Sequence, residues 1–362
     1  EEQQQNELSR LVVESVCSSP VLLNNTLTIP KKTTLSGMSY KASSDFVVPA
    51  PLLSLESHTT LSKVEGDGSL LAQHIVVANS AEVEDITISD CELHSTNNNL
   101  YGVAFTGTYI HNDIIYFNGM KDVSIRNSAL VSAGMAVPNG KENPSLWSSV
   151  GTGVLCYNCK NLVVSGNLVN QTSTAGIDIT GSLNVEVSNN RLDFISRNIE
   201  WWDNSTSQPP LGDFITGYDN FNYHTYTQSE SFNWTISGNV GTNGGNHGIH
   251  VSGTGITIEN NVITFVNQGG LFLGDQDDPN ECVSQIETKD MYIRYSNMTH
   301  YLYRSPERSS LPAYDLNDVF VQGYEYNGES LQSTITFSNL DITPGESVVW
   351  GSGDDATCQR LD

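Results

Sequence analysis

Cations are scarce in this sequence. Sixteen Lys and Arg stand against 41 Asp and Glu, which leaves a formal charge of −25 over 362 residues. That balance excludes the broad basic footprint with which a chain grips nucleic acid. Long apolar runs are missing too: none approaches the roughly 18 residues of a membrane-spanning helix. Cysteine is sparse, with Cys17, Cys91, Cys156, Cys159, Cys282 and Cys358 allowing at most three bridges. Cys156 and Cys159 form a C-x-x-C, but no second such pair and no H-x-x-x-H completes a zinc set. A local disulfide or free thiols are therefore expected there, and no metal. Phosphate-cradling and nucleophile-elbow motifs (P-loop, G-x-G-x-x-G, G-x-S-x-G) do not occur in usable context.

What is present is enough apolar material for one large core: 38% by the aliphatic, aromatic and cysteine count, and about 46% when the 30 glycines are added. Sequons at Asn24, Asn170, Asn204, Asn233 and Asn297 permit glycosylation without indicating it, because Asn, Ser and Thr are abundant. Residue 1 is Glu, so any export signal lies outside this sequence; a secreted or extracellular location is the expectation.

The dominant signal is a repeat. An apolar-x-apolar segment followed by Asn reads LVVSGNLV from Leu162, VEVSNNRL from Val185, WTISGNV from Trp234 and ITIENNVI from Ile256. Its anchors, Val164, Val187, Ile236 and Ile258, are spaced by 23, 49 and 22 residues, so the middle interval is one turn plus an insertion of about 27. A second series, Gly-apolar-x-apolar, interleaves with it: GVAF from Gly102, GVLC from Gly153, GIDI from Gly176, GIHV from Gly248 and GLFL from Gly270. Short alternating Val- and Ile-rich segments are strands rather than helices. A constant return of about 22 residues is the mark of a coil that revisits the same face on each turn, with stacked parallel strands. The Asn three past each anchor (Asn167, Asn190, Asn239, Asn261) suits a left-handed bend and can bond to its equivalents one turn above and below. The expected fold is all-β: a single-stranded parallel β-helix forming one domain over 1–362, with a cap over about 1–30, a coil over about 31–345 and a tail over about 346–362. Leu8, Leu11, Val12 and Val16 share one helical face, so the cap is expected to be a helix.

On these motifs the chain resembles the pectin-lyase-like right-handed parallel β-helix superfamily, over roughly residues 20–345. That superfamily includes pectate lyases, polygalacturonases and other glycosidases, pectin methylesterases and phage tailspikes. The resemblance implies a fold and a carbohydrate partner rather than one activity. Polygalacturonases carry a Q-D-D sequence and an H-G-I strand, similar to Gln276-Asp277-Asp278 and His247-Gly248-Ile249; here the order is reversed and their R-I-K triplet is missing. RSPER from Arg304 resembles the lyase R-x-P-x-x-R but is one residue short.

In each Gly-led strand the residue between the two inward apolar ones faces out. Counting twelve residues from Val187 places the missing rung at NIEW from Asn198, so the outward column is expected to run Ala104, Leu155, Asp178, Glu200, His250, Phe272. Two crowded carboxylates, one holding its proton and one ionised, are what glycosidic cleavage uses. Asp178 and Glu200 are the expected pair and His250 the assisting imidazole. Arg197, Trp202, Tyr223, His224, Phe272, Asp275, Asp277 and Asp278 are expected to line the substrate groove, with excursions at 107–119, 132–151, 202–231 and 274–290 as its walls. Aromatic rings in the largest excursion, Phe214 and Tyr218 included, suit sugar faces. No metal or other cofactor is expected, except that the Asp275, Asp277, Asp278 run also reads as a solvated turn or a calcium site. A polysaccharide or oligosaccharide is the expected partner, with no nucleic acid and no membrane span. The rival readings are a glycan-binding or structural surface protein, and a lyase or epimerase using the histidine or a tyrosine as base.

Overall fold

A computed structural model describes residues 11–14, 19–79, 83–96, 110–134, 149–195, 213–218, 233–245, 247–266, 269–274, 283–294, 319–321, 335–343 and 348–350. The chain winds as a right-handed parallel β-helix whose turns each supply one strand to three walls. The first wall stacks Lys160–Ser165, Leu183–Ser188, Trp234–Ser237 and Gly253–Glu259; the second stacks Leu168–Thr172, Arg191–Ile195, Val240–Gly244 and Val262–Val266. Val283–Arg294 runs round the corner between them, so the two join as one 20-stranded sheet. Among the described residues the third wall has 11 strands, including Val154–Tyr157, Ile177–Asp178, Ile215–Gly217, Ile249–Val251 and Leu271–Leu273. Alternation sends Val164, Val187, Ile236 and Ile258 inward, each fully buried.

The Asn ladder forms inside the corner between the first two walls. Nδ2 and the backbone N of Asn167 both donate to Oδ1 of Asn190, at 3.0 and 2.9 Å; Asn190 bonds Asn239 in the same way, and Asn239 bonds Asn261. Each Nδ2 also reaches a carbonyl one turn back, such as Val187 O at 2.9 Å from Asn239. The left-handed residue of the bend lies one position earlier, at Asn127, Gly166, Asn189, Gly238 and Asn260. The ladder side chains are thus held by burial and pairing, and the strain of the bend falls on their neighbours. A second, exposed ladder runs from Asn233 through Asn184 and Asn161 to Asp122, all left-handed.

Several sequence expectations are corrected. Leu11–Glu14 is a strand paired with Thr33–Ser36, not part of a capping helix; Leu8 and Val16 lie outside the described residues. Coil rungs thus lie at Leu11–Glu14, inside the expected cap, and at Val348–Trp350, inside the expected tail. The rung below Val154–Tyr157 is Ile115–Asn118, so Tyr116 rather than Ala104 precedes Leu155 in the column. The rung above Ile177–Asp178 is Ile215–Gly217, not NIEW, because the insertion enters before the third-wall strand as well as after it.

The missing rung escaped the pattern because its packing is inverted. On the neighbouring rungs led by Gly153, Gly176, Gly248 and Gly270 the glycine before the third-wall strand makes room for a second-wall side chain: a Cβ on Gly153 would meet Val169 at 2.4 Å, and one on Gly176 would meet Leu192 at 2.5 Å. At this turn the third wall carries Phe214, and the second wall recedes to Gly241 and Gly244, where a Cβ would lie 2.2 and 3.0 Å from the Phe214 ring. Large and small have exchanged sides while the filled volume is kept. Phe214, only 1% exposed, is therefore core rather than a sugar platform.

Candidate functional site

The third wall's outward column reads Tyr116, Leu155, Asp178, Thr216, His250, Phe272, one residue per rung. Asp178 and His250 do share this column, with Thr216 between them in the place expected for Glu200. Glu200, Arg197, Trp202, Tyr223, His224, Asp275, Asp277 and Asp278 lie outside the described residues. The column is also less open than anticipated: His250 is 4% exposed and Phe272 2%, while Asp178 is half-buried. Phe272 packs its ring against His250 and His247, with centroids 4.6 and 5.1 Å apart, and so supports the imidazoles instead of offering a face to solvent.

Two residues before each strand the chain turns the corner into the third wall, and that position carries a second set of polar groups: His74, Asp113, Thr152, Asp213 and His247. Asp213 is the hub. Its Oδ1 accepts from the backbone N of His247 at 2.9 Å and lies 3.2 Å from that ring's Nδ1; its Oδ2 lies 3.1 Å from Nδ1 of His250. The other nitrogen of His250, Nε2, sits 3.0 Å from the carbonyl of Gly274. The hydroxyl of Tyr218, two residues past Thr216, reaches Nδ1 of His250 at 3.1 Å. A chain of contacts thus runs from Asp213 through His250 to a tyrosine hydroxyl.

Burial opposes the charge on Asp213, but the two neighbouring imidazoles outweigh it and hold the carboxyl well below the usual range. Asp178 goes the other way. Crowding by surrounding protein, with the charge of Asp213 added, pushes it up to about 6 against the bonds that its Oδ1 accepts from Thr180 N and Oγ1, at 3.0 and 2.7 Å. Further down the wall, burial lifts Asp113 well above the carboxylate range; its Oδ1 accepts from Thr152 N at 2.8 Å, and its Oδ2 has no hydrogen-bond partner and stands 3.6 Å from His74 Nδ1. One wall therefore carries an aspartic acid, an aspartate and, between their extremes, a carboxyl that titrates near pH 6. Thr216 Oγ1, buried between Asp178 and His250, has no hydrogen-bond partner either. Tyr116 and Tyr157, half-buried, meet edge to face with centroids 6.4 Å apart beside Asp178, whose charge adds to the burial that raises the Tyr157 hydroxyl.

Sequence reasoning missed Asp213, Asp113 and His74 as site residues, and read Tyr218 as a ring for sugar faces rather than as the partner of His250. Once Phe214-Ile215-Thr216-Gly217 is aligned as a rung, Asp213 and His247 occupy equivalent corners, and the His247-x-x-His250 spacing becomes the readable signal. Elsewhere, Cys156 and Cys159 form a disulfide with Cα atoms 6.0 Å apart, and Cys91 is a buried free thiol. Cys17, Cys282 and Cys358 lie outside the described residues.

Coil and site together define the class: a right-handed parallel β-helix with a polar cluster on one wall. Among solved structures, the Dettilon tailspike protein matches with a TM-score of 0.52 at 14% identity, over 92% of this chain and 62% of its own, so this chain spans less than two thirds of the tailspike's length. DFA-IIIase from Arthrobacter chlorophenolicus A6, without its lid, gives 0.45 at 11% identity, over 91% of this chain and 79% of that one. The mannuronan C-5 epimerase AlgE4 A-module of Azotobacter vinelandii gives 0.36 at 12%, over 91% of each chain. At such identities the likeness is one of fold. No protein-family model matches the chain, and no curated protein matches it in sequence.

Proposed function

We propose that this protein is a carbohydrate-active enzyme that cleaves glycosidic bonds of a polysaccharide or oligosaccharide laid across the third wall. The observation that carries this reading is the divergence of Asp178 and Asp213 on adjacent rungs, one carboxyl raised to about 6 and the other held ionised. Environments that push two carboxyls apart assign an acid and a base. Asp178, the more accessible of the two, is the proton donor to the leaving oxygen. Asp213 has both oxygens engaged by the two histidines, so it acts through them. The group it supports is the Tyr218 hydroxyl, which gives its proton to Nδ1 of His250, the resulting imidazolium being held by Asp213, as its oxygen takes a proton from an attacking water or itself attacks the anomeric carbon. Tyr116 and Tyr157 offer ring faces for the neighbouring sugar units.

The same tyrosine favours a second reading. A hydroxyl backed by an imidazole can remove a proton next to a carboxylate-bearing carbon, which is the chemistry of a lyase or epimerase. Product analysis separates the two: new reducing ends without an unsaturated chromophore support hydrolysis, and the chromophore supports the lyase. Asp178→Asn is expected to lower turnover by ~10²-fold or more while the fold is kept. An unchanged rate overturns the proton-donor assignment, and glycan binding without turnover by the wild type overturns the enzyme reading in favour of a binding protein. The Cys156–Cys159 disulfide suits an oxidising compartment and hence export. Among the described residues no helix is long and apolar enough to cross a membrane.

A further inference from the structure

We propose that Asp213, His247 and His250 form a binding site for a divalent first-row transition-metal ion, with Zn²⁺ as the probe that tests it. The ligating atoms of the three side chains, all buried, lie within 4.8 Å of one another. Two of the separations are those of the hub itself: 3.2 Å from Oδ1 to Nδ1 of His247 and 3.1 Å from Oδ2 to Nδ1 of His250. Ligands at about 2.0–2.1 Å from a tetrahedral ion stand roughly 3.3 Å apart, so the trio needs little adjustment to close on one.

The tautomer of His250 points the same way. Nε2 faces the carbonyl oxygen of Gly274 at 3.0 Å and must carry a hydrogen there. With that hydrogen on Nε2, Nδ1 and the facing carboxylate oxygen of Asp213 meet across one positive centre, either a proton or a metal ion. A proton can bridge one such contact; a single dication satisfies both imidazoles and the carboxylate at once. Donation of the far nitrogen to a backbone carbonyl is also how metal-bound imidazoles are usually oriented. Phe272 and Tyr218 pack against the rings and hold them in place.

Two nitrogens and one oxygen suit zinc, cobalt, nickel or ferrous ions rather than the all-oxygen shells of calcium and magnesium. Among the described residues, His58 with Glu84 and Asp85 and His94 with Glu65 and Asp67 are surface groups with one imidazole each, and the buried pair of His74 and Asp113 also offers a single imidazole. The Tyr218 hydroxyl and the unpartnered Thr216 hydroxyl, both on the rung of Asp213, stand ready for a further ligand or for a water carried by the ion. On metal uptake Nδ1 of His250 passes from the tyrosine to the ion. This inference goes beyond the proposed glycosidic chemistry and does not depend on it.

The test is a calorimetric titration of the chelator-stripped full chain with Zn²⁺, repeated with Co²⁺, whose visible spectrum reports its coordination. One ion per chain is expected, with a Co²⁺ spectrum of low coordination number and no comparable uptake of Ca²⁺. His247→Ala and His250→Ala should each weaken Zn²⁺ binding by ~100-fold or more, at or above the cost of disturbing an outer shell. The double variant His58→Ala with His94→Ala should bind as the wild type does. Absence of stoichiometric uptake by the wild type overturns the proposal without recourse to any variant. So does uptake that survives His247→Ala, or uptake lost with His58 and His94, which marks a surface site. If a single variant fails to fold, the wild-type titration and the His58/His94 comparison still decide. A chain that binds zinc yet cleaves no glycan would refute the proposed function and leave this site standing.

Discussion

Asp178 keeps its proton up to about pH 6 in the fold, whereas an ordinary aspartate gives it up near 3.8. Between those values the native state binds more protons than the unfolded chain, so the contribution of this group to stability falls as pH rises from about 4 to about 6 and stays low above. Replacing it by asparagine preserves an acceptor for Thr180 and removes the charge that burial disfavours. Asp178→Asn is therefore expected to gain about 1–3 kcal/mol over the wild type at pH 7 and nothing at pH 4, read by urea denaturation at the two pH values. Equal effects at both would mean that the carboxyl is not raised. A proton donor that ionises near 6 also predicts that kcat/KM falls tenfold per pH unit above that point, and a profile flat to pH 8 would assign the donor elsewhere. The sequence made Asp178 and His250 legible because each sits between two inward apolar residues of a Gly-led strand. It hid Asp213 and the place of Tyr218 beside His250, since both flank a strand whose leading glycine has become Phe214.

At the scale of the elements, the corner between two walls is set by complementary volumes and by buried amides. Asn239 both accepts from Asn190 and donates to Val187 O and Asn261 Oδ1. Asn239→Ala leaves those buried partners unpaired, and about 3 kcal/mol of destabilisation is expected in chemical denaturation. The exposed Asn184→Ala should cost under about 1 kcal/mol, because water replaces its partners. Gly241→Val should destabilise by about 1–3 kcal/mol through collision with the Phe214 ring. Combined with Phe214→Gly it should cost less than the sum of the two single changes, as contacting residues do in a double-mutant cycle. Additive costs would show that the ring and the glycine do not share one space. The Asn ladder could be read directly from the fixed offset of Asn after each anchor. The exchange of large and small residues could not, since a period search sees each ladder alone and not the space between them. Only a packing argument connects Phe214 with Gly241 and Gly244.

For the whole molecule, a constant return of 22 or 23 residues was enough to fix the coil, because stacking identical turns leaves few other ways to bury so many short strands. The same regularity says nothing about chemistry, and the polar cluster gathers where the repeat breaks: in the rung that lies within the insertion and in the corners that carry Asp213 and His247. In the proposed function, substrate lies along the third wall, over Asp178 and Thr216. The most direct measurement is a crystal structure of Asp178→Asn soaked with an oligosaccharide that the wild type cleaves. The scissile glycosidic oxygen is predicted within about 2.6–3.2 Å of the side-chain amide at position 178, with sugar rings on Tyr116 and Tyr157. An oligosaccharide bound on either of the other two walls, or with its scissile bond remote from position 178, would contradict it.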